Sequence, residues 1–258
     1  MTHFTARIQS IYRYPVKGLS PEPLVGTTLA VGKTIAADRL YAIENGPSGF
    51  DSSAPAYLPK QRFLMLMRNG RLARLDTRFD DVSHMLSIRC ENSEAASGDL
   101  RTVAGREAIE RFFAVFCVDE LRGPPKILQA PDHSFSDVAK KVVSIVNRAS
   151  VAAVETVVGA PVDPLRFRAN VYVDGWPAWH EFTLLNHEIT LGDGARLKIV
   201  KRIVRCAATN VEPGTGIRDL AIPETLLRSF DHADCGVYGE VVGAGSIAVG
   251  DAVVTANF

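Results

Sequence analysis

Apolar and polar residues alternate with a period of two along most of this chain, in short runs broken by glycine, proline and small polar residues. That pattern predicts many short β-strands. Over residues 7–14, Ile8, Ser10 and Tyr12 fall on one face of a strand. Further strand-like runs are 27–31, closed by Gly32, then 38–44, 63–67 and 85–89, while residues 45–59 are rich in Gly, Ser and Pro and read as a long surface loop. The period changes over 106–118, where Ile109, Phe112, Phe113 and Phe116 stand at i, i+3, i+4 and i+7. This is an amphipathic helix with a core-facing aromatic stripe.

The second half repeats the strand pattern at 126–129, 142–146, 166–175, 237–242 and 246–254. Residues 188–191 and 195–204 form a hairpin around Gly192-Asp193-Gly194. Ser150 is placed as N-cap of a helix over 151–158 ending at Gly159, and a last helix runs from Pro223 to Phe230. The polar, small-residue stretch 91–98 is the best boundary. The expected architecture is mainly β with a few α-helices: a β-barrel-like module over 1–98 and a second β-barrel domain over 99–258.

Composition narrows the function. With 47% hydrophobic and 22% charged residues among 258, the chain is an ordinary globular protein. Its 29 basic and 29 acidic residues give a formal net charge of +0, which argues against nucleic-acid binding. Clustered cations therefore serve a local anion. No apolar run approaches a membrane span and the N-terminus has no signal core, so the expectation is a cytoplasmic protein without a membrane partner. The four cysteines form no C-x-x-C pair and no disulfide framework, and the six histidines, His3 among them, are scattered with no i, i+4 pair.

Chemistry concentrates between Leu197 and Asp219. A basic strand carrying Lys198, Lys201, Arg202 and Arg205 runs into Cys206 and then a loop through Pro213, Gly214 and Gly216. Cations favour the thiolate, the form that attacks electrophiles or binds soft metals, and glycines let backbone N–H groups approach an anion. A lone cysteine is more often a small buried hydrophobe than a reactive group. Lys17 is either a solvated turn lysine or an anion ligand, and Arg39 a surface or a site charge. Arg168 and Asn170 share one strand face, polar pocket or solvent. Glu212, Asp219 and Asp174 have turn or capping roles, Cys90, Cys117 and Cys235 structural ones, and Trp176 and Trp179 cover either the site or a domain contact.

Four segments together resemble one family. IYRYPVKG, from Ile11, resembles the opening of the MOSC N-terminal β-barrel module. RFRANVYVDG, from Arg166, and KRIVRCAATNVEPGTG, from Lys201, resemble two signature segments of the MOSC (molybdenum cofactor sulfurase C-terminal) domain, and GVYGEVVGAGSIAVGDAV, from Gly236, resembles its closing strands. The resemblance covers nearly the whole chain and is similar to the amidoxime-reducing component group. It implies a molybdenum cofactor (molybdopterin) with Cys206 as metal ligand and catalytic residue. It implies Lys17, Arg39, Ser150, Arg168, Asn170 and Thr209 as cofactor-binding residues. The implied activity is reduction of a small N-hydroxylated or N-oxide substrate; the alternative is a cofactor carrier or sulfur carrier without turnover. The chain ends at Phe258 with no ferredoxin module, so a reductase would draw on a separate electron-transfer protein.

Overall fold

A computed structural model of the chain describes residues 5–255, so His3 lies outside the described residues. The first strands are β1 (Ala6–Arg13), β2 (Glu22–Leu24), β3 (Gly26–Leu29) and β4 (Ala42–Asn45). An antiparallel sheet of β5 (Leu75–Phe79), β6 (Met85–Cys90) and β7 (Ser93–Asp99) follows, then helix α1 (Val103–Phe116) and β8 (Pro125–Leu128). Next come β9 (Val143–Asn147), α2 (Arg148–Val158), β10 (Val171–Asp174), β11 (Glu188–Leu191) and β12 (Ala195–Val204). Helix α3 (Ile222–Phe230), β13 (Asp234–Gly243), β14 (Gly245–Ala248) and β15 (Ala252–Thr255) complete the described chain. Among these residues no helix is long and apolar enough to cross a membrane.

The mainly β architecture holds. Seven strands close a barrel in the order β10-β9-β13-β12-β11-β15-β1, with β1 pairing back onto β10 and β2 attached outside the ring. Closure leaves no unpaired edge in the ring. Alternate residues of each strand fill the interior: Val143 and Ile145, Val171 and Val173, Leu197 and Ile199. The expected alternation of Ile8, Ser10 and Tyr12 fails after its first member. The register slips between Ile8 and Ser10, so Ile11 takes the buried position and Ser10 and Tyr12 are only partly covered.

A second core forms where α1 lies on the β5–β6–β7 sheet, burying Ile109 and Phe113 against Leu72, Leu75, Leu86 and Ile88. The stretch 91–98, expected as a boundary, is mostly β7, and this core runs past residue 98 into α1. Its small residues have a packing reason. A Cβ on Gly98 would stand 2.3 Å from the Gly105 carbonyl oxygen, and one on Gly105 2.1 Å from that of Asp99. Glycine is what lets helix and strand approach this closely.

One other expected strand does not form and another is shortened. Residues 63–67 are a turn that keeps one bridge, Phe63 to Glu44. The run after Arg166 begins as a 3-10 turn, Pro164–Phe167, and Arg168 then takes a left-handed conformation (φ 51°), so the strand starts only at Val171. Helix α2 begins earlier than expected, because Asn147 caps it by accepting the Ala149 N–H at 3.2 Å.

Candidate functional site

The barrel and the second core meet at a cavity of about 270 Å³. Strand β12 delivers Cys206 to it. After Val204 the chain drops into a 3-10 turn, Ala207–Asn210, with Cys206 at its N-terminal boundary. Thr209, itself buried, locks that turn: its hydroxyl and its N–H both donate to the Cys206 carbonyl at 3.0 Å. The sulfur receives a hydrogen bond from Lys60 Nζ at 3.3 Å. Lys60 reaches it at the end of the Gly/Pro-rich loop of the N-terminal half.

Lys17 enters from the turn after β1, where Gly18 (φ 85°) passes so close to the Leu64 carbonyl that a Cβ would stand 2.9 Å from it. Lys17 is 4% exposed and donates to Phe135 O at 2.8 Å and to Asp137. Asp137 also faces Lys60, at 3.3 Å. Burial alone would raise the Asp137 carboxyl, but Lys17, then Lys60 and Arg39, hold it well below the usual carboxylate range.

Tyr14 ties the two halves together. Its ring is fully buried and carries two guanidinium groups, Arg39 at 4.6 Å and Arg168 at 4.2 Å from the centroid. Burial pushes its phenol up to about 12 despite both arginines. Arg39 and Arg168 both have φ 51°, a conformation uncommon for non-glycine residues that needs surrounding structure to hold it. Arg39 is held by Asp38 and by donating to Arg168 O at 3.1 Å. The Arg168 guanidinium has no hydrogen-bond or ion-pair partner among the described residues, and burial lowers its affinity for a proton. Eight cationic side chains line the cavity against two carboxylates, Asp38 and Asp137. In a chain with no net charge this concentration selects an anion.

The MOSC N-terminal beta barrel domain family matches residues 5–117, and the MOSC domain family matches residues 130–254. The chain belongs to the MOSC family. Among curated relatives, mitochondrial amidoxime reducing component 2 of Rattus norvegicus and that of Bos taurus are each 32% identical over 123 residues. The match covers 43% of this chain and 36% of each relative. Among solved structures, the YUAD protein from Bacillus subtilis aligns over 96% of this chain and 94% of its own, at 13% identity and a TM-score of 0.46.

In this MOSC protein, Lys17, Arg39, Arg168, Asn170, Cys206 and Thr209 line one cavity. Asn170 does so with its amide largely engaged: Oδ1 accepts from Ser144 N and Oγ at 3.1 and 2.8 Å, and Nδ2 donates to Tyr12 O at 3.2 Å. Its first task is to tie β9 to β1 just ahead of β10. Ser150 is not brought there. It lies inside the first turn of α2, fully buried, donating to Glu181 Oε2 and accepting from Trp179 N, both at 2.9 Å. Trp176 and Trp179 do not line the cavity either; Trp176 packs in the barrel core. Asp219 binds Arg166 through two hydrogen bonds, at 2.8 and 2.7 Å, and braces the Cys206 loop from behind. Glu212 and Asp174 serve local turns. Burial pushes the Cys117 and Cys235 thiols up to about 12, in keeping with structural roles.

Lys60 and Asp137 belong to the site and carry no signature in the sequence, and Tyr14 joins them from within the IYRYPVKG segment. Tyr14 and Lys17 share one pentapeptide, but nothing local links residue 60 to 137 or 206. The donor set fits a molybdenum-bearing pterin. Among the described residues no three His, Cys, Asp or Glu side chains could hold a metal ion, so a metal at Cys206 must bring further ligands of its own. A thiolate is a suitable soft ligand, and an unpartnered guanidinium with two lysines suits a phosphate.

Proposed function

We propose that this MOSC protein holds molybdenum cofactor with Cys206 as metal ligand, and reduces N-hydroxylated compounds. The observation that carries the reading is the Cys206 sulfur placed in a strongly cationic cavity of a chain with no net charge. When bound, the cofactor would supply a centre that takes an oxygen atom and exchanges two electrons. For an amidoxime the balance is R–C(NH2)=N–OH + 2 e⁻ + 2 H⁺ → R–C(NH2)=NH + H2O, the electrons coming from a separate electron-transfer protein. The name of the curated relatives supports this reaction class.

Each residue then has a task. Arg168, Arg39 and Lys17 neutralise the cofactor's anionic group, and Tyr14 keeps the two guanidinium groups at fixed spacing. Thr209 fixes the Cys206 carbonyl and with it the direction of the thiol. Lys60 presents an N–H to the sulfur and is oriented by Asp137. The cavity walls are drawn from both halves of the chain.

The test is elemental molybdenum together with fluorescence of the oxidised pterin, on freshly purified protein from a cofactor-producing host. Wild type is expected to carry near-stoichiometric metal, and Cys206→Ala to lose most of it. Wild-type protein that takes up neither metal nor pterin, even after reconstitution, would refute the assignment. Pterin without metal would favour a carrier. Metal-loaded protein that fails to turn over benzamidoxime with a supplied electron donor would refute the reductase.

A further inference from the structure

A second, larger cavity of about 470 Å³ abuts the first. The two share Gly18, Leu66, Arg166, Arg168 and Ala208 as a common wall. Beyond that wall the second chamber is lined by Leu19, Leu72, Leu75, Leu165, Val211 and Pro213, drawn from both halves of the chain. Leu165 is informative. It is only half-buried and belongs to none of the hydrophobic cores, so its side chain serves the chamber and not the packing beneath it.

The chamber's charges are largely spoken for. Arg74 is paired with Glu91 and Arg166 with Asp219, while Arg89 donates to the Asn92 carbonyl at 2.7 Å. What remains for a ligand is apolar wall and the exposed Asp76 carboxylate, with the Arg168 guanidinium, stacked on Tyr14 but without a hydrogen-bond or ion-pair partner, at the border towards Cys206. Its volume lies in the range that encloses a whole small organic molecule.

We infer that this chamber is the specificity pocket: it takes the neutral aromatic or long alkyl body of the substrate, whose N–O end crosses the shared wall towards Cys206. The inference rests on the reductase reading for its substrate class. It predicts selection by apolar bulk, with compact polar N-hydroxylated compounds poorly held. Filling or emptying an apolar pocket by a few carbons changes discrimination by about ten-fold or more.

The experiment compares wild type, Leu165→Trp and Leu165→Ala as full-length chains loaded with cofactor. Three quantities are measured: pterin and molybdenum content, the Kd of 2-naphthamidoxime by calorimetry, and kcat/KM for that compound and for formamidoxime. Leu165→Trp is expected to keep its cofactor and to weaken naphthamidoxime binding about ten-fold. The loss should appear in KM and lower the naphthyl-to-formyl ratio of kcat/KM by a similar factor. Leu165→Ala should keep or raise that ratio. Pro213→Phe narrows the chamber from another loop and must give the same shift, which covers a Leu165→Trp that does not fold. An unchanged Kd and ratio in both narrowed variants would overturn the inference, as would loss of pterin in both, which would make the chamber cofactor space. Should wild type hold cofactor but reduce no amidoxime, the reductase reading fails alone. The Kd comparison then still decides whether the chamber binds apolar bodies.

Discussion

Asp137 is the residue on which the cation cluster turns. Lys17, Lys60 and Arg39 all depress its carboxyl, so its folded value lies below the unfolded one. Its contribution to stability is therefore complete above about pH 4, the ordinary carboxylate value, and is lost as pH falls further. Asp137→Asn leaves the buried Lys17 ammonium with neutral acceptors only, the Phe135 carbonyl and the new amide oxygen. Because the Asp137 side chain is 46% exposed, the expected cost at neutral pH is about 1–3 kcal/mol, less than for a fully buried pair. Urea unfolding of both proteins at neutral pH and at about pH 3 checks this, and the gap should narrow at the lower value. Sequence alone pointed to Lys17, Arg39, Arg168, Asn170, Cys206 and Thr209, because each sits in a short motif, and all six line the cavity. It misplaced Ser150 for a physical reason. Asn147, three residues upstream, captures the helix cap, which turns the serine inward to Glu181. It was silent on Lys60 and Asp137, whose meaning arises only when distant loops converge.

Among the elements, β7 and α1 show how composition can mislead. Ser, Ala and Gly over 91–98 look like linker, yet the same small residues permit a helix to lie almost in contact with a strand. In Gly105→Ala two effects compete: alanine improves helix propensity by up to about 1 kcal/mol, but its Cβ meets the Asp99 carbonyl. The clash should win, with a net loss of about 1–3 kcal/mol read from chemical denaturation. A stabilised variant would show that α1 lifts off the sheet at little cost. The periodicity of α1, the β11–β12 hairpin and helix α3 was readable locally. The register slip in β1 was not, because a bulge exists only relative to a partner strand, and the partner is β10.

At the scale of the molecule, the first strand is a stave of the barrel built by the second half. Residues 99–258 expressed alone lack β1 and leave β10 and β15 with open edges. They should show no cooperative thermal transition by circular dichroism, and adding residues 1–98 in trans should restore one. A cooperative melt of the isolated fragment would show that the barrel can do without that stave. Ala6 pairs with Val253, almost the full length of the described chain away. On a ribosome adding ~5–20 residues per second, β1 therefore waits on the order of tens of seconds for its last neighbour. Tyr14 and Lys17 follow directly on that strand, so the Cys206 pocket takes its final shape only once synthesis has passed β15. Any prosthetic group it holds therefore meets a finished pocket only once β15 has been added to the chain.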